Sequence, residues 1–520
     1  MTAAAAIEPP ARRLPIASVI ALAGLVAFGG ALLWRFALFA ALGRYIVAFP
    51  DQFDYGEGIV WQQILLMFTP DAYGPIDGFP SIVFHYPPVF HASAAALSRL
   101  TGLDGLAAGR LLSLLATFAT ALFAGLLTAR MLAGQVRART RLLAGAAAGL
   151  ALLTVWPLLL WAPLMRVDVL ACAFALGGML VAARAIDGKA GLIHVAALCF
   201  VLSIFTKQVF VAAPAATFII LLWQRPRIAW AGIASSIAMG LVVLGGLEWA
   251  TGGGFVRHIL FYNVNRFDPA RLMLLVAPLT FHFVYLAVAA AGVTAVARRV
   301  AATRRATASS TDILNLVMLA WLAIKTLMLP MIGKVGSADN YMMEWFCAVM
   351  IFMGVGLAPL IARIAERPRA GESLTGMRWP MVAMLVPALL AAQAIILPDW
   401  QRPRADAART HEREALIRRI ALADKPVISD DMVVVIRAGK RVVWEPAIFA
   451  ELAHTGQYDE RPFVDRIRRG EIAFFVTEGV RGDPLFDDRY NPAIADAIDA
   501  AYPVKVKLAG MVLHLPAGGR

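Results

Sequence analysis

Charge is scarce in this 520-residue chain: Asp, Glu, Lys and Arg together make up 16%, against about 25% in soluble globular proteins. The hydrophobic share is 60%, well above the soluble range of roughly 45–50%. That pairing excludes a soluble globular enzyme and a disordered chain. Cysteine is scarcer still. Cys172, Cys199 and Cys347 are the three in the chain, and all lie inside apolar runs, so a disulfide scaffold is excluded. Walker, Rossmann, HExxH and CxxC patterns are absent, as is any internal repeat.

The charges that remain are unevenly placed. The net charge is +13, which in a soluble chain would suggest a nucleic-acid partner. From Asp399 onward, however, 19 acids balance 19 bases, so the first 398 residues hold 29 bases against 16 acids. A basic excess confined to the hydrophobic part marks cytoplasmic loops of a membrane protein, and no nucleic-acid partner is expected.

A spanning helix needs about 20 mostly apolar residues. Runs of that kind lie at 16–40, 106–129, 142–162, 167–186, 190–206, 208–223, 228–250, 273–297, 312–331, 341–362 and 379–398. The first follows Arg12 and Arg13, lacks a small-residue cleavage site and reads as a retained anchor. Basic clusters (Arg130–Arg141, Arg184 and Lys189, Arg225 and Arg227, Arg298–Arg305, Arg363–Arg378) fall in alternate connections. The expectation is a polytopic α-helical membrane protein of about eleven transmembrane helices in the inner membrane, N-terminus cytoplasmic. Segment 82–100 opens with Tyr86-Pro87-Pro88 and would break the alternation if it crossed, so it is expected to lie at the outer interface.

Two domains are expected: 1–398 in the membrane and 399–520 as a small C-terminal α/β domain on the extracytoplasmic side. In the latter, β-like runs (426–428, 441–444, 472–476, 504–507, 511–515) alternate with amphipathic stretches (447–453, 462–469, 492–501). Leu508-Ala509-Gly510 suits a hairpin turn.

The first outer loop, 41–85, holds five of the 16 acids: Asp51, Asp54, Glu57, Asp71 and Asp77. In DQFDYGEG (51–58), Asp51 and Asp54 stand three apart, as do Asp54 and Glu57, and each pair shares a face if the segment is helical. Crowded carboxylates are a source of general bases, and Phe53, Tyr55 and Trp61 offer flat faces to a sugar. A solvated acidic loop would have the same composition.

Further motifs follow in order. Phe84-His85-Tyr86-Pro87-Pro88-Val89-Phe90 leads an interfacial helix, and Arg110 opens the next span. Met165-Arg166-Val167-Asp168 stands at the mouth of another span and Phe205-Thr206-Lys207-Gln208 lies between two. Asp339-Asn340-Tyr341-Met342-Met343-Glu344 forms a later outer loop. This order resembles the polyprenyl-phosphate-sugar-dependent glycosyltransferases of the C superfamily, both the protein-mannosyltransferase-like (family 39) and the aminoarabinose-transferase-like members. The tail, with Ser429-Asp430-Asp431 and Trp444-Glu445-Pro446, is similar to bacterial members that carry an extracytoplasmic domain. Where many relatives have adjacent Asp-Glu, Tyr55 and Gly56 intervene here, which leaves both Asp51 and Asp54 open as the catalytic acid.

The resemblance implies a lipid-phosphate sugar donor, transfer with inversion, and Asp54 or Asp51 as base, with Glu57 orienting the base or the acceptor. Donor phosphate and sugar contacts would come from Lys207, Lys334, Arg166, Arg257, Arg266, His85, Asn340, Tyr341 and Glu344, with Asn263 and Asn265 as further amides. Cations at span ends also snorkel to headgroups without any such role. Arg166 and Asp168, two apart, point away from each other on a helix, and Lys325 and Glu248 read as structural. The Gly-hinged segment 251–269 could be a flap or an ordinary loop. No cofactor is expected; a divalent cation on the clustered acids is conceivable by carboxylate chemistry, but the relatives that resemble this pattern mostly work without one. The acceptor is open between lipid, glycan and protein. The competing classes are a lipid or solute transporter or flippase, a structural subunit of an envelope-polysaccharide complex, and a transferase using a diphosphate-linked donor.

Overall fold

The computed structural model describes residues 16–263, 266–334, 336–365, 381–396 and 407–518. Its membrane half begins with α1 (Ile16–Ala48), α2 (Tyr55–Leu66), α3 (Val89–Thr101), α4 (Gly105–Met131), α5 (Ala138–Leu152) and α6 (Trp156–Trp161). Next come α7 (Asp168–Ile186), α8 (Leu192–Ile204), α9 (Ala212–Gln224), α10 (Pro226–Ala250) and α11 (Gly254–Val256). It closes with α12 (Pro269–Val276), α13 (Phe283–Ala302), α14 (Ser310–Met328), α15 (Met343–Ala365) and α16 (Met381–Ile396).

Within the described residues, each of the eleven apolar runs lies on helix, though not on eleven equal ones. Among the described residues, seven helical stretches are long and apolar enough to cross a membrane. The runs on α8, α9 and α16 are shorter, and run 142–162 breaks into α5 and α6 around Leu153-Thr154-Val155. At 1.5 Å per residue, the 13 residues of α8 or α9 extend about 20 Å, less than a hydrocarbon core of about 30 Å. The same limit applies to α3, also 13 residues, which stops at Gly102 in the left-handed conformation (φ 73°), as a helix C-cap favours.

Close approach between helices comes from glycine. A Cβ on Gly292 would sit 2.0 Å from the Phe352 carbonyl oxygen, and one on Gly356 would sit 2.2 Å from that of Val288. Helices α13 and α15 therefore meet backbone to backbone, the small-residue packing that replaces hydrophobic drive in lipid.

The basic connections gather on one face: Arg130 pairs with Asp187, Ser310 Oγ donates to the Ile186 carbonyl at 3.3 Å, and Arg305 donates to the Trp223 carbonyl. The opposite face carries segment 49–88 and the tail. There α1 runs eight residues beyond the expected end at Ala40, because Tyr45-Ile46-Val47-Ala48 continues the apolar run and Phe49-Pro50 ends it; proline disfavours a helix through the residue before it.

The tail contains α17 (Ala407–Ala421), β1 (Val427–Ser429), α18 (Met432–Arg437), α19 (Pro446–His454), α20 (Arg461–Arg468), β2 (Phe474–Thr477), α21 (Pro484–Asp487), α22 (Pro492–Ala501), β3 (Val504–Leu508) and β4 (Met511–Leu515). The sheet order is β1-β2-β4-β3, with β1 and β2 parallel and the other pairs antiparallel. Four of the five expected strands form. The fifth, 441–444, stays out of the sheet and pairs instead with the membrane half: Ser81 N donates to the Val443 carbonyl at 2.7 Å. Ala509 (φ 54°) and Gly510 (φ 78°) make the two-residue turn between β3 and β4. The expected domain boundary at 398/399 lies outside the described residues.

Candidate active site

Proline 50 ends α1, and Asp54 starts α2 by accepting a hydrogen bond from Gly56 N at 2.9 Å. Helix α2 is short and its flank is anchored by charge. Glu57, wholly buried, accepts from Arg110 Nε and Nη2 at 2.7 Å each, from Met165 N at 2.9 Å and from Phe53 N at 2.8 Å. Arg110 in turn donates to the carbonyls of Ile46 (2.8 Å), Phe49 (2.7 Å) and Asp51 (2.7 Å). Both side chains have zero exposure. This clamp fixes the acidic loop against α4 and leaves neither carboxylate oxygen of Glu57 open to a substrate.

Asp54 is the accessible member. Its Oδ2 also faces Arg166 Nη1 at 3.1 Å, and its side chain is 23% exposed; its Oδ1 carries no hydrogen bond or ion pair among the described residues. Asp51 is turned to the tail: Arg413 Nε lies 2.5 Å from Asp51 Oδ1, and the same guanidinium pairs with Asp431.

Beside Asp54 lies a second cluster. Asp168, buried at the start of α7, accepts from Lys207 Nζ at 2.5 Å and from Asn340 Nδ2 at 3.1 Å on each oxygen. The Lys207 ammonium sits 4.0 Å from the Tyr341 ring centre and 5.8 Å from that of Tyr86. Burial opposes the charged form of Lys207, but Asp168, with Tyr341 and Tyr86 behind it, outweighs burial and holds the ammonium pKa above the ordinary lysine value. Burial likewise opposes the Arg166 cation, and Asp54, Tyr86 and Asp168 reverse it. Asn340 Oδ1 and Gln208 Oε1 are buried without a partner among the described residues, so this cluster presents hydrogen-bond acceptors. Arg166, Lys207, Asn340 and Tyr341 are thus brought together around Asp168 and Tyr86. As the i, i+2 spacing implies, Arg166 and Asp168 have different partners.

Other candidates go elsewhere. His85 Nε2 meets Glu445 Oε1 of the tail at 3.0 Å, and the His85 carbonyl accepts from Gln208 Nε2 (3.0 Å) and Asn263 Nδ2 (3.2 Å). Lys334 Nζ donates to the Asn263 carbonyl at 3.3 Å. Arg266 pairs with Glu451 in the tail at 3.2 Å. Arg257 is exposed, with the Tyr262 phenol bonded to it. Glu344 is buried between Trp321 Nε1 (2.8 Å) and Lys325 Nζ (3.0 Å), partners distinct from those of Asp168. Glu248 accepts from Val256 N at 3.0 Å, a structural cap on segment 251–269. Asn265 lies outside the described residues.

Several residues that shape the site carry weak sequence signals. Arg110 reads as a span-end cation, and only its burial identifies the clamp. Trp161, its ring 5.0 Å from the Arg166 guanidinium, reads as membrane hydrophobe. Asp168 lies in the Met165–Asp168 motif, whose spacing does not reveal Lys207 and Asn340 as its partners. Arg413, which ties the tail to Asp51, looks like an ordinary surface charge, and Glu445 lies in the Trp444-Glu445-Pro446 motif, which gives no sign that it meets His85.

No protein-family model matches the sequence, and no curated protein matches it. The fold is similar to that of ArnT from Cupriavidus metallidurans. Against the form bound to undecaprenyl phosphate the TM-score is 0.53 at 14% identity, and against the apo state it is 0.54 at 14%. Each match covers 92% of this chain and 97% of ArnT. The fold is also similar to that of the Archaeoglobus fulgidus oligosaccharyltransferase in the apo form, with a TM-score of 0.51 at 10% identity over 86% of this chain and 69% of that one. The chain thus has the polytopic fold expected from its ordered motifs.

Proposed function

We propose that the chain is a membrane glycosyltransferase that moves a sugar from a polyprenyl phosphate to an extracytoplasmic acceptor. The observation that carries the proposal is Asp54: Oδ2 is pinned by Gly56 N and Arg166, while Oδ1 has no partner among the described residues. A carboxylate held by one oxygen and open at the other suits a general base. In the proposed step the acceptor hydroxyl oxygen attacks the anomeric carbon, its proton passes to Asp54, and the bond from that carbon to the phosphate oxygen breaks with inversion. Polyprenyl phosphate leaves. Such a base is worth roughly 10²–10⁴ in rate. Arg166, paired with Asp54, and Lys207, paired with Asp168, are the cations for the leaving phosphate, and Asn340 and Gln208 offer acceptors to sugar hydroxyls.

A cavity of about 350 Å³ with a wholly apolar lining opens between α3, α8 and α10, bounded by Val89, Leu198, Phe205 and Val242. Phe205 stands two residues before Lys207, so a prenyl chain in this groove would bring its phosphate towards the Asp168 cluster. ArnT in its lipid-bound form carries undecaprenyl phosphate, which favours the same donor class. Arginine-rich connections on one face and the acidic loop with the tail on the other support a cytoplasmic N-terminus and an extracytoplasmic tail in the inner membrane.

The test is incubation of the purified full-length protein with radiolabelled polyprenyl-phosphate hexoses and a membrane extract from its source. Label should move from the lipid phosphate to an acceptor in the extract. A panel of such donors that yields no transfer refutes the proposal, and a cytoplasmic signal from a reporter fused at residue 520 refutes the orientation.

A further inference from the structure

The glycine between Asp54 and Glu57 has a steric cause. A Cβ at Gly56 would lie 1.7 Å from Arg166 Nη1 and 2.9 Å from Asp54 Oδ2, so any other residue at 56 displaces the guanidinium. A second contact fixes Arg166 from the Trp161 side, whose ring centre is 5.0 Å from Cζ. Trp161 is itself held by its Nε1–H on Asp339 Oδ1 at 2.5 Å. Two elements far apart in sequence therefore combine to seat one cation against Asp54. Arg166 Nε remains buried with no partner among the described residues, a donor left over for a ligand.

The carboxylates nearby are already neutralised by side chains. Both oxygens of Glu57 are used by Arg110 and backbone amides. Asp168 is held by Lys207 and Asn340, and Asp54 Oδ2 by Arg166 and Gly56. A divalent cation draws its oxygen ligands from several groups at once, and no three His, Cys, Asp or Glu side chains among the described residues converge as such a set. The donor set does not fit a metal.

We propose that Arg166, seated by Gly56 and Trp161, holds the place at Asp54 that a divalent cation would otherwise take. It fixes one oxygen of the base and offers its remaining N–H groups to the lipid phosphate, so that sugar transfer proceeds without added metal. A guanidinium suits this work: it stays protonated at any working pH and presents planar, paired donors to phosphate. The inference rests on the transfer reading above and assigns the electrostatic role within it.

The experiment uses the full-length protein in detergent, with transfer from a polyprenyl-phosphate hexose and thermal unfolding measured in parallel. Wild-type transfer should stay within twofold after EDTA treatment. Arg166→Ala should lose at least about 100-fold in kcat, as when a single preorganised donor is removed. Millimolar guanidinium chloride should restore at least tenfold of that loss. Gly56→Ala should fall similarly and resist guanidinium, because its methyl group occupies the seat. A loss in Arg166→Ala that guanidinium leaves untouched, at an unchanged melting temperature, overturns the proposal, as does wild-type transfer abolished by EDTA and restored by Mn²⁺. The thermal readout separates this failure from failure of the transfer reading. A wild-type melting temperature raised by Mn²⁺, and no longer raised in Asp54→Asn, overturns the metal-free assignment even if no donor sugar is found; a melting temperature indifferent to Mn²⁺ upholds it.

Discussion

Replacing Arg110 with methionine removes one side of the most deeply buried ion pair in the loop that carries Asp54. The substitution keeps most of the side-chain volume and strands the Glu57 carboxylate at zero exposure with two backbone amides as partners. It also removes the side-chain donor from the carbonyls of Phe49 and Asp51 and leaves that of Ile46 with Phe49 N alone. Breaking a buried pair in this way costs about 3–5 kcal/mol. At 1.36 kcal/mol per factor of ten, the equilibrium for local opening of segment 49–58 should rise roughly 10²–10⁴-fold. Amide hydrogen exchange reads that quantity directly, and the protected amides are those of Phe53, bonded to Glu57 Oε2, Gly56, bonded to Asp54 Oδ2, and Glu57, bonded to the Asp54 carbonyl at 3.0 Å. Exchange of peptides covering 49–58 should accelerate by that factor in Arg110→Met, while peptides from the tail sheet stay as in wild type. The double variant Glu57→Gln with Arg110→Met should cost less than the sum of the single changes, because the stranded charge is gone. Acceleration below tenfold in Arg110→Met would refute the clamp.

Two predictions concern the tail. His514 is buried with Nε2 at 2.9 Å from Thr477 Oγ, and burial, reinforced by Lys505, pushes its pKa down to about 4. A histidine held neutral contributes stability that is present above the unfolded value of about 6.5 and is lost as pH falls towards 4, at most about 3 kcal/mol. Proteolysis of the tail in the full chain should therefore rise between pH 7.5 and 5 and stay flatter in His514→Gln; a flat wild-type profile would contradict this. Ala509 occupies the left-handed region, where asparagine is better tolerated, so Ala509→Asn should strengthen the tail by about 0.5–1 kcal/mol, seen as slower cleavage in the same assay. Faster cleavage would count against the turn assignment.

Much of the architecture was legible because membrane spans and loop charge are long-range, one-dimensional signals. The helices at 105–131, 168–186 and 339–364 follow from apolar length, and the arginine connections that meet through Arg130–Asp187 and Arg305–Trp223 follow from charge. Length alone could not reveal that 142–162 breaks around Leu153-Thr154-Val155, nor that the strand-like run 441–444 leaves the sheet for Ser81; both are tertiary outcomes. The acidic loop stood out by composition, yet the division of labour within it did not. Asp54 and Glu57 are alike in sequence, and burial against Arg110 separates them. Gly56 looked like a departure from an adjacent-acid pattern, and the reach of Arg166 from 110 residues away explains it.

Under the proposed function, Asp54 takes the acceptor proton in transfer from a lipid-phosphate sugar. The most direct test of that role is the initial rate of label transfer from a polyprenyl-phosphate hexose by Asp54→Asn, Asp51→Asn and Asp77→Asn, purified side by side. Asp77 is exposed and lies outside the Asp54 and Asp168 clusters. The account predicts a fall of about 10²–10⁴ in Asp54→Asn and a wild-type rate in Asp77→Asn. Full activity in Asp54→Asn would contradict it, and a loss confined to Asp51→Asn would move the base to Asp51.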